Sequence, residues 1–302
     1  MLENQKILIT GPTSQVAFPI ARELARRNEV HGLARLKRSE DRERLVGAGI
    51  EPIALDLASD PLDAVPDDFT YVLNFAVVKT GDFAYDLAAN AESIGRLMAR
   101  CHRAKAVLHC SSGGVYQYAG NAPRKETDPL GDNHRVLFPT YSIAKIAAET
   151  VVRFASRQWD LPATIVRLSV PYGDNGGWPA FHLMMMRGGA PIPVHPEKPN
   201  VYNPIHEDDY IAQIPALLRV ASVPATTLNW GGEPLSIEEW CTYIAELTGL
   251  ELQLDYRTDT LGSLPLDLTR MHELVGPTHV PWREGLRRML EARAPDLLTT
   301  RR

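Results

Sequence analysis

The sequence predicts an α/β fold, a doubly wound parallel sheet followed by a smaller C-terminal substrate-binding domain. Three observations predict it. Short β-branched runs alternate with helical stretches through the first 170 residues, Gly11 closes the first of those runs, and Tyr141 and Lys145 stand four apart on a stretch that reads as helix. Strands alternating with helices at this spacing form a parallel sheet covered on both faces.

The elements follow in order. Lys6 to Thr10 is a strand, ended by the glycine turn, and Ser14 to Asn28 is a helix. Glu29 to Ala34 (strand), Glu40 to Ala48 (helix) and Ile50 to Leu55 (strand) complete two strand–helix–strand units. Phe69 to Ala76, Ala106 to Cys110 and Ala163 to Leu168 supply further strands, separated by helices at Asp82 to Arg103 and Tyr141 to Trp159. After Pro171 the pattern changes to Gly, Pro and aromatic punctuation, with a helix at Trp178 to Arg187. Helices at Glu207 to Val220 and Ile237 to Leu247 flank a strand at Thr227 to Trp230, and a last helix covers Arg283 to Arg293. We therefore expect a dinucleotide-binding domain over 1–170 and a substrate-capping domain over 171–302, partly interleaved with the first.

A chain of 302 residues, 44% hydrophobic, buries one large core or two modest ones. The net charge of -5 is spread without a basic block, which argues against nucleic acid or an anionic membrane as partner. Arg301 and Arg302 form a terminal basic pair, expected to be a solvated tail. No apolar run approaches the ~18 residues of a membrane span, and Met1 to Gln5 lead directly into a strand, so a cytoplasmic protein is expected. Three widely spaced cysteines, Cys101, Cys110 and Cys241, form neither a disulfide framework nor a four-thiolate site. The nine histidines show no metal-ligand spacing, so no metal is expected.

The loop Gly11-Pro12-Thr13-Ser14-Gln15-Val16-Ala17 lies between strand and helix, where helix N-terminal amides face a pyrophosphate. Ser14 and Ala17 replace the second and third glycines of a Rossmann-type turn. Ala17 is small enough for close packing; the Ser14 hydroxyl either donates to a phosphate or caps the helix. At the end of the second strand the ribose-binding carboxylate is missing, and Arg35 is followed by Lys37 and Arg38. Positive charge there suits a 2′-phosphate, so NADP(H) is favoured and NAD(H) remains possible. Tyrosine loses its proton only near pH ~10. An ammonium on the same helix face, that of Lys145, is expected to favour the phenolate.

With the glycine loop, Ser112, Tyr141 and Lys145 in place, the sequence resembles the extended short-chain dehydrogenase/reductase family, which contains nucleotide-sugar epimerases and dehydratases. The resemblance covers essentially the full length. Asp56-Leu57 is similar to the family's adenine-contacting pair, and Asn74-Phe75-Ala76, with Val77 after it, to the strand segment beneath the dinucleotide. Lys79 is similar to a lysine that reaches cofactor phosphates in some epimerases, and Asn90 to an asparagine of the next helix. Ser111-Ser112-Gly113-Gly114-Val115-Tyr116 resembles the S-S-x-x-V-Y element, which implies Ser112 as catalytic serine. Pro171 resembles the residue beside the nicotinamide, and Pro204 to Asp209 the start of a later family helix.

Departures from the family pattern bear on substrate. Val170 stands where nucleotide-sugar enzymes commonly have asparagine, Tyr202 where they have arginine, and Gly113-Gly114 where dehydratases have an Asp-Glu pair. An amide and a cation suited to a diphosphate are thereby lost, although a shifted loop could bring Arg187 in as substitute. Val78, Tyr116, Tyr172, Trp178, Phe181, Met184 and Tyr202 are expected around the pocket with Gly113 and Gly114, an apolar lining suited to a small carbonyl or alcohol. Met184 to Met186 read equally as helix core.

The resemblance implies an NAD(P)-dependent oxidoreductase in which Tyr141 donates the proton, Lys145 tunes it and holds a ribose hydroxyl, and Ser112 steadies the developing alkoxide. An epimerase using the same three residues is the alternative, and a catalytically silent cofactor sensor the third reading. A homodimer through the helices at Asp82 to Arg103 and Tyr141 to Trp159 is implied as well.

Overall fold

The computed structural model describes residues 2–298, which leaves the Arg301-Arg302 pair outside the described residues. Strands β1 (Lys6–Thr10), β2 (Glu29–Ala34), β3 (Ile50–Ala54), β4 (Tyr71–Asn74), β5 (Ala106–Ser112) and β6 (Ala163–Leu168) join Thr226–Trp230 in one seven-stranded sheet. From one edge the order is Thr226–Trp230, β6, β5, β4, β1, β2, β3, and every pairing is parallel. All-parallel strands need both faces covered, and two apolar cores do so, one around Ile7, Ile9 and Trp230, the other around Leu8, Val107 and Ile165. The chain leaves β1 for one half of the sheet and returns to the other at β4. That reversal opens a crevice at the carboxyl ends of β1 and β4, where ligands of this architecture bind.

Gly11 makes the crevice possible. Its φ is +66°, and a Cβ there would fall 2.9 Å from the Ala76 Cα. Only glycine lets the end of β1 pass so close to the end of β4. The helix that follows, α1 (Ala17–Ala25), is shorter than the expected Ser14 to Asn28. The Ser14 hydroxyl accepts from the Ala17 amide (3.2 Å), which is the capping role, and the Asn28 amide closes the far end on the Leu24 carbonyl (2.9 Å).

The helix expected at Asp82 to Arg103 is instead broken. α2 (Ser39–Gly47) precedes it, then come α3 (Phe83–Leu87), a π-turn at Ala88–Glu92, and α4 (Ser93–Arg100). Asn90 explains the break. Its side-chain amide donates to the Asp86 carbonyl (2.6 Å), competing with the helical ladder, and to the Val78 carbonyl (2.8 Å), while its oxygen accepts from the Val78 amide (2.8 Å).

Helix α5 (Tyr141–Gln158) is anchored from below by ion pairs beneath the sheet ends. Glu149, fully buried, takes two hydrogen bonds from Arg167 of β6 (2.9 and 2.8 Å), one from Ser111 of β5 (2.7 Å) and one from Arg153 (3.0 Å). Burial works against the charged form, and these donors more than offset it, holding the carboxyl below its ordinary value. The remaining chain builds α6 (Trp178–Arg187), α7 (Glu207–Arg219), α8 (Ile237–Thr248), α9 (Thr269–Leu274) and α10 (Trp282–Arg293) with three small sheets, and α7 packs on β5 and β6 of the main sheet. No described helix is long and apolar enough to cross a membrane.

Candidate active site

Ser112, Tyr141 and Lys145 converge where β5 ends and α5 begins. Ser112 is the last residue of β5 and its hydroxyl accepts from the Gly114 amide (3.1 Å). Tyr141 is the first residue of α5, positioned by Thr140, whose hydroxyl donates to Asp86 (2.6 Å), and by Ser142, whose hydroxyl donates to the Gly114 carbonyl (2.7 Å). The loop after Ser112 and the start of α5 are thus joined directly.

The electrostatics differ from the sequence expectation. Burial pushes the Tyr141 phenol up to about 12, opposed by its hydrogen bond with Ser112. Lys145 does not lower it, because its ammonium donates to the Cys110 carbonyl (2.7 Å) one residue pair back along β5. Burial also lowers the Lys145 value, with Glu149 opposing. Tyr141 therefore stands at neutral pH as a protonated phenol, equipped to give a proton.

Two clefts adjoin along the carboxyl ends of the strands, at Ser14–Gln15 and Val78–Lys79, and Ser112 and Tyr141 line the second. The first, about 350 Å³, is lined by Gly11, Thr13, Ser14, Arg35, Asp56, Leu57, Phe75, Ala76 and Val77, all expected at the cofactor, and by Val78, expected at the substrate. At its rim Arg35 donates to the Tyr85 hydroxyl (3.1 Å), which donates to Asp56 (3.0 Å), and Arg38 grips Asp41 (2.9 and 3.0 Å). Lys37 also lines it. The glycine turn, the small residues beneath it and the basic rim fit a nicotinamide dinucleotide.

The second cleft, about 550 Å³, holds Ser112, Gly113, Gly114, Tyr141, Trp178 and Tyr202, together with Gln15, Lys79 and Pro171, which were expected at the cofactor. Val16 and Asn90 line neither cleft; Asn90 acts by shaping the Val78 backbone. Tyr172 does not line it either, being buried with its ring edge-on to His206. Tyr116 is buried and donates to Asn229 (2.6 Å), Met184 lies exposed outside the pocket, and Arg187 pairs with Asp296 (3.0 Å) at the surface. Arg187 therefore supplies no substitute cation to the site.

Sequence reasoning missed His134, Leu137, Phe138, Leu261 and Leu264, and did not assign Leu168, Ser169 and Val170 to the site; these complete the second cleft. His134 stacks on Tyr141, centroids 5.6 Å apart at 27°. Burial, then the Lys79 charge, lowers its value to about 4, so it is neutral at physiological pH. One sequence signal pointed to it, the pair Gly113-Gly114. A Cβ at Gly114 would fall 2.6 Å from the His134 Nδ1, so glycine makes room for the imidazole.

Residues 7–221 match the model of the NAD dependent epimerase/dehydratase family. No curated protein gives a significant match. Among solved structures, the chain is similar to a UDP-N-acetylglucosamine 4-epimerase of Methanobrevibacter ruminantium in complex with UDP-N-acetylmuramic acid, at 16% identity and TM-score 0.83, over 98% of this chain and 100% of the other. It is similar to a UDP-glucuronic acid 4-epimerase of Bacillus cereus in complex with UDP-glucuronic acid and NAD (18%, 0.82, 96% and 99%). A dTDP-glucose 4,6-dehydratase of Bacillus anthracis in complex with NAD aligns comparably (17%, 0.81, 97% and 97%). At such identities these are likenesses of fold.

Proposed function

The chain belongs to the NAD-dependent epimerase/dehydratase family and is a nicotinamide-dependent enzyme; from its site we propose that it interconverts a hydrophobic carbonyl compound and the corresponding alcohol. The observation that carries this reading is the lining of the second cleft. Leu168, Val170, Trp178, Phe181, Tyr202, Leu261 and Leu264 surround the approach to Tyr141, with no arginine among them. A diphosphate brings two negative charges and is held best by forked guanidinium donors. An apolar wall with few polar groups suits a small carbonyl compound instead.

A bound reduced nicotinamide supplies hydride to the carbonyl carbon. Tyr141 gives its phenolic proton to the oxygen as charge develops there, and the Ser112 hydroxyl donates a hydrogen bond to the same oxygen. Lys145, its ammonium on the Cys110 carbonyl, lies one helical turn behind Tyr141 and lines neither cleft; the family resemblance supports its role toward a ribose hydroxyl. Arg35, Lys37 and Arg38 around the adenosine end support NADP(H) as the preferred form. Ile143 and Phe154, exposed on α5, support a homodimer through that helix.

Epimerisation is the second reading, favoured by the family match and by the 4-epimerases among the similar structures. It uses the same residues, oxidising and then re-reducing one carbon. Initial rates of NADPH oxidation with hydrophobic ketones and aldehydes, beside UDP-sugar epimerisation measured on the same preparation, test the two. Reduction of carbonyls with inert UDP-sugars is expected. Turnover of UDP-sugars alone would overturn the carbonyl reading.

A further inference from the structure

We propose that the cleft beside Tyr141 takes an anionic substrate, a hydrophobic carbonyl compound whose carboxylate, close to the carbonyl, docks on Lys79. This rests on the oxidoreductase reading and narrows its substrate class.

Lys79 is the only ionised side chain lining that cleft; no Asp, Glu or Arg is among its lining residues. Its ammonium sits 3.7 Å from the centroid of Phe138 and 6.0 Å from that of Tyr141, so the charge is held over aromatic faces within reach of the reacting end. Among the described residues no carboxylate pairs with it. The two acids nearest in sequence are committed elsewhere. Asp82 caps the Tyr85 amide (3.1 Å). Asp86, fully buried, accepts from the Thr80 amide (2.9 Å), the Gly81 amide (3.1 Å), the Thr80 hydroxyl (2.8 Å) and the Thr140 hydroxyl (2.6 Å). Partial burial lowers the Lys79 value with no carboxylate opposing it.

Two further polar atoms of lining residues are buried without a partner, Gln15 Nε2, a donor, and His134 Nδ1. Buried polar groups are ordinarily satisfied, and these two lie within the wall of the cleft. The loop after Ser112 contributes to the same balance. Where the resemblance leads one to expect an acidic pair in a dehydratase, Gly113-Gly114 adds no carboxylate, and the neutral His134 ring occupies the space over Gly114. One unopposed cation and an aromatic wall define a site for a single carboxylate on an apolar body. They provide too little positive charge for a diphosphate.

The test uses the enzyme saturated with NADP⁺ and the pair benzoylformate and its methyl ester, with binding read by calorimetry so that turnover is not required. The acid should bind about 10- to 100-fold tighter than the ester, the range of a charge-assisted contact. Lys79→Met should abolish that preference and leave the NADP⁺ affinity unchanged, and Lys79→Arg should keep it. Equal binding of acid and ester by the unaltered enzyme overturns the inference. So does an acid preference that survives in Lys79→Met, or a loss of NADP⁺ affinity in that variant without a change in preference, which would assign Lys79 to the cofactor. If acid binding is preferred and NADPH oxidation is absent, the reduction reading fails while the anion site stands.

Discussion

The two adjoining clefts are built differently. The cofactor cleft is assembled from short contiguous motifs at the ends of neighbouring strands, Gly11 to Ser14, Ala34 to Arg38, Leu55 to Leu57 and Phe75 to Val78. The substrate cleft draws single side chains from segments as distant as Gln15 and Leu264, and most of them are apolar. One cleft is made by backbone, with small residues and a basic rim; the other is made by side-chain shape around one proton donor. The comparison teaches that cofactor chemistry here is a property of the sheet, whereas substrate choice is a property of the loops and helices laid over it.

The largest effect should come from the proton donor of the substrate cleft. Tyr141→Phe keeps the ring and its packing against His134 while removing the proton, so the rate of reduction should fall about 10²- to 10⁴-fold, or ~3 to 5 kcal/mol of transition-state stabilisation. Cofactor titration should be unchanged. Near-normal turnover would mean that the donor is another group.

Next is the support beneath helix α5. Arg167→Met leaves Glu149 buried with half of its donors gone, since Arg167 supplies two of its four hydrogen bonds. Removing one partner of such a pair costs about 3 kcal/mol or more of folding stability. Denaturant unfolding would check it, and an unchanged midpoint would show that α5 is held by apolar packing alone.

On the cofactor side, Arg35→Ala should weaken NADPH more than NADH by about 1.5 to 3 kcal/mol, the worth of a charge-assisted contact. Equal weakening of both would remove the 2′-phosphate from that rim. On the substrate side, the smallest effect concerns pH. His134 is held neutral, with its folded value lowered to about 4 against an ordinary 6.5. Between those values the unfolded chain binds more protons, so the contribution is full above the ordinary value and is lost as pH falls toward 4. Being partly exposed, His134 should add a slope of about 1 kcal/mol per pH unit or less. Unfolding of the protein and of His134→Phe across that window should differ in slope; parallel curves would place the titration elsewhere, with His109 and His182, whose values burial also lowers.

How much of this was legible in the sequence follows the same division. The strands Lys6–Thr10, Glu29–Ala34 and Ala163–Leu168 and the helix Trp178–Arg187 coincide with the expected spans, because each is a local apolar run with its own punctuation. The helix expected across residues 82–103 broke at Asn90, whose amide serves the Val78 backbone 12 residues away, a tertiary demand that propensity does not carry. In the site, Gly11, Ser112, Tyr141 and Lys145 could be located from spacing, since each sits at a strand end or on one helix. The electrostatics of Tyr141 could not. A four-residue spacing places Lys145 on the correct face, but which acceptor its ammonium finds, here the Cys110 carbonyl, depends on how closely α5 approaches β5. His134, Leu261 and Leu264 reach the pocket only through long-range packing, and only the glycine at 114 left a trace of it.

The most direct measurement is the mole ratio of NADPH consumed to alcohol formed, followed with a carbonyl substrate of the hydrophobic class and the purified enzyme. Absorbance gives the first quantity and chromatography the second. Equal amounts, with no product in the absence of added NADPH, are the result expected of net carbonyl reduction at Tyr141. Inversion of a secondary alcohol centre with no net cofactor consumed would contradict it and assign the same three residues to epimerisation.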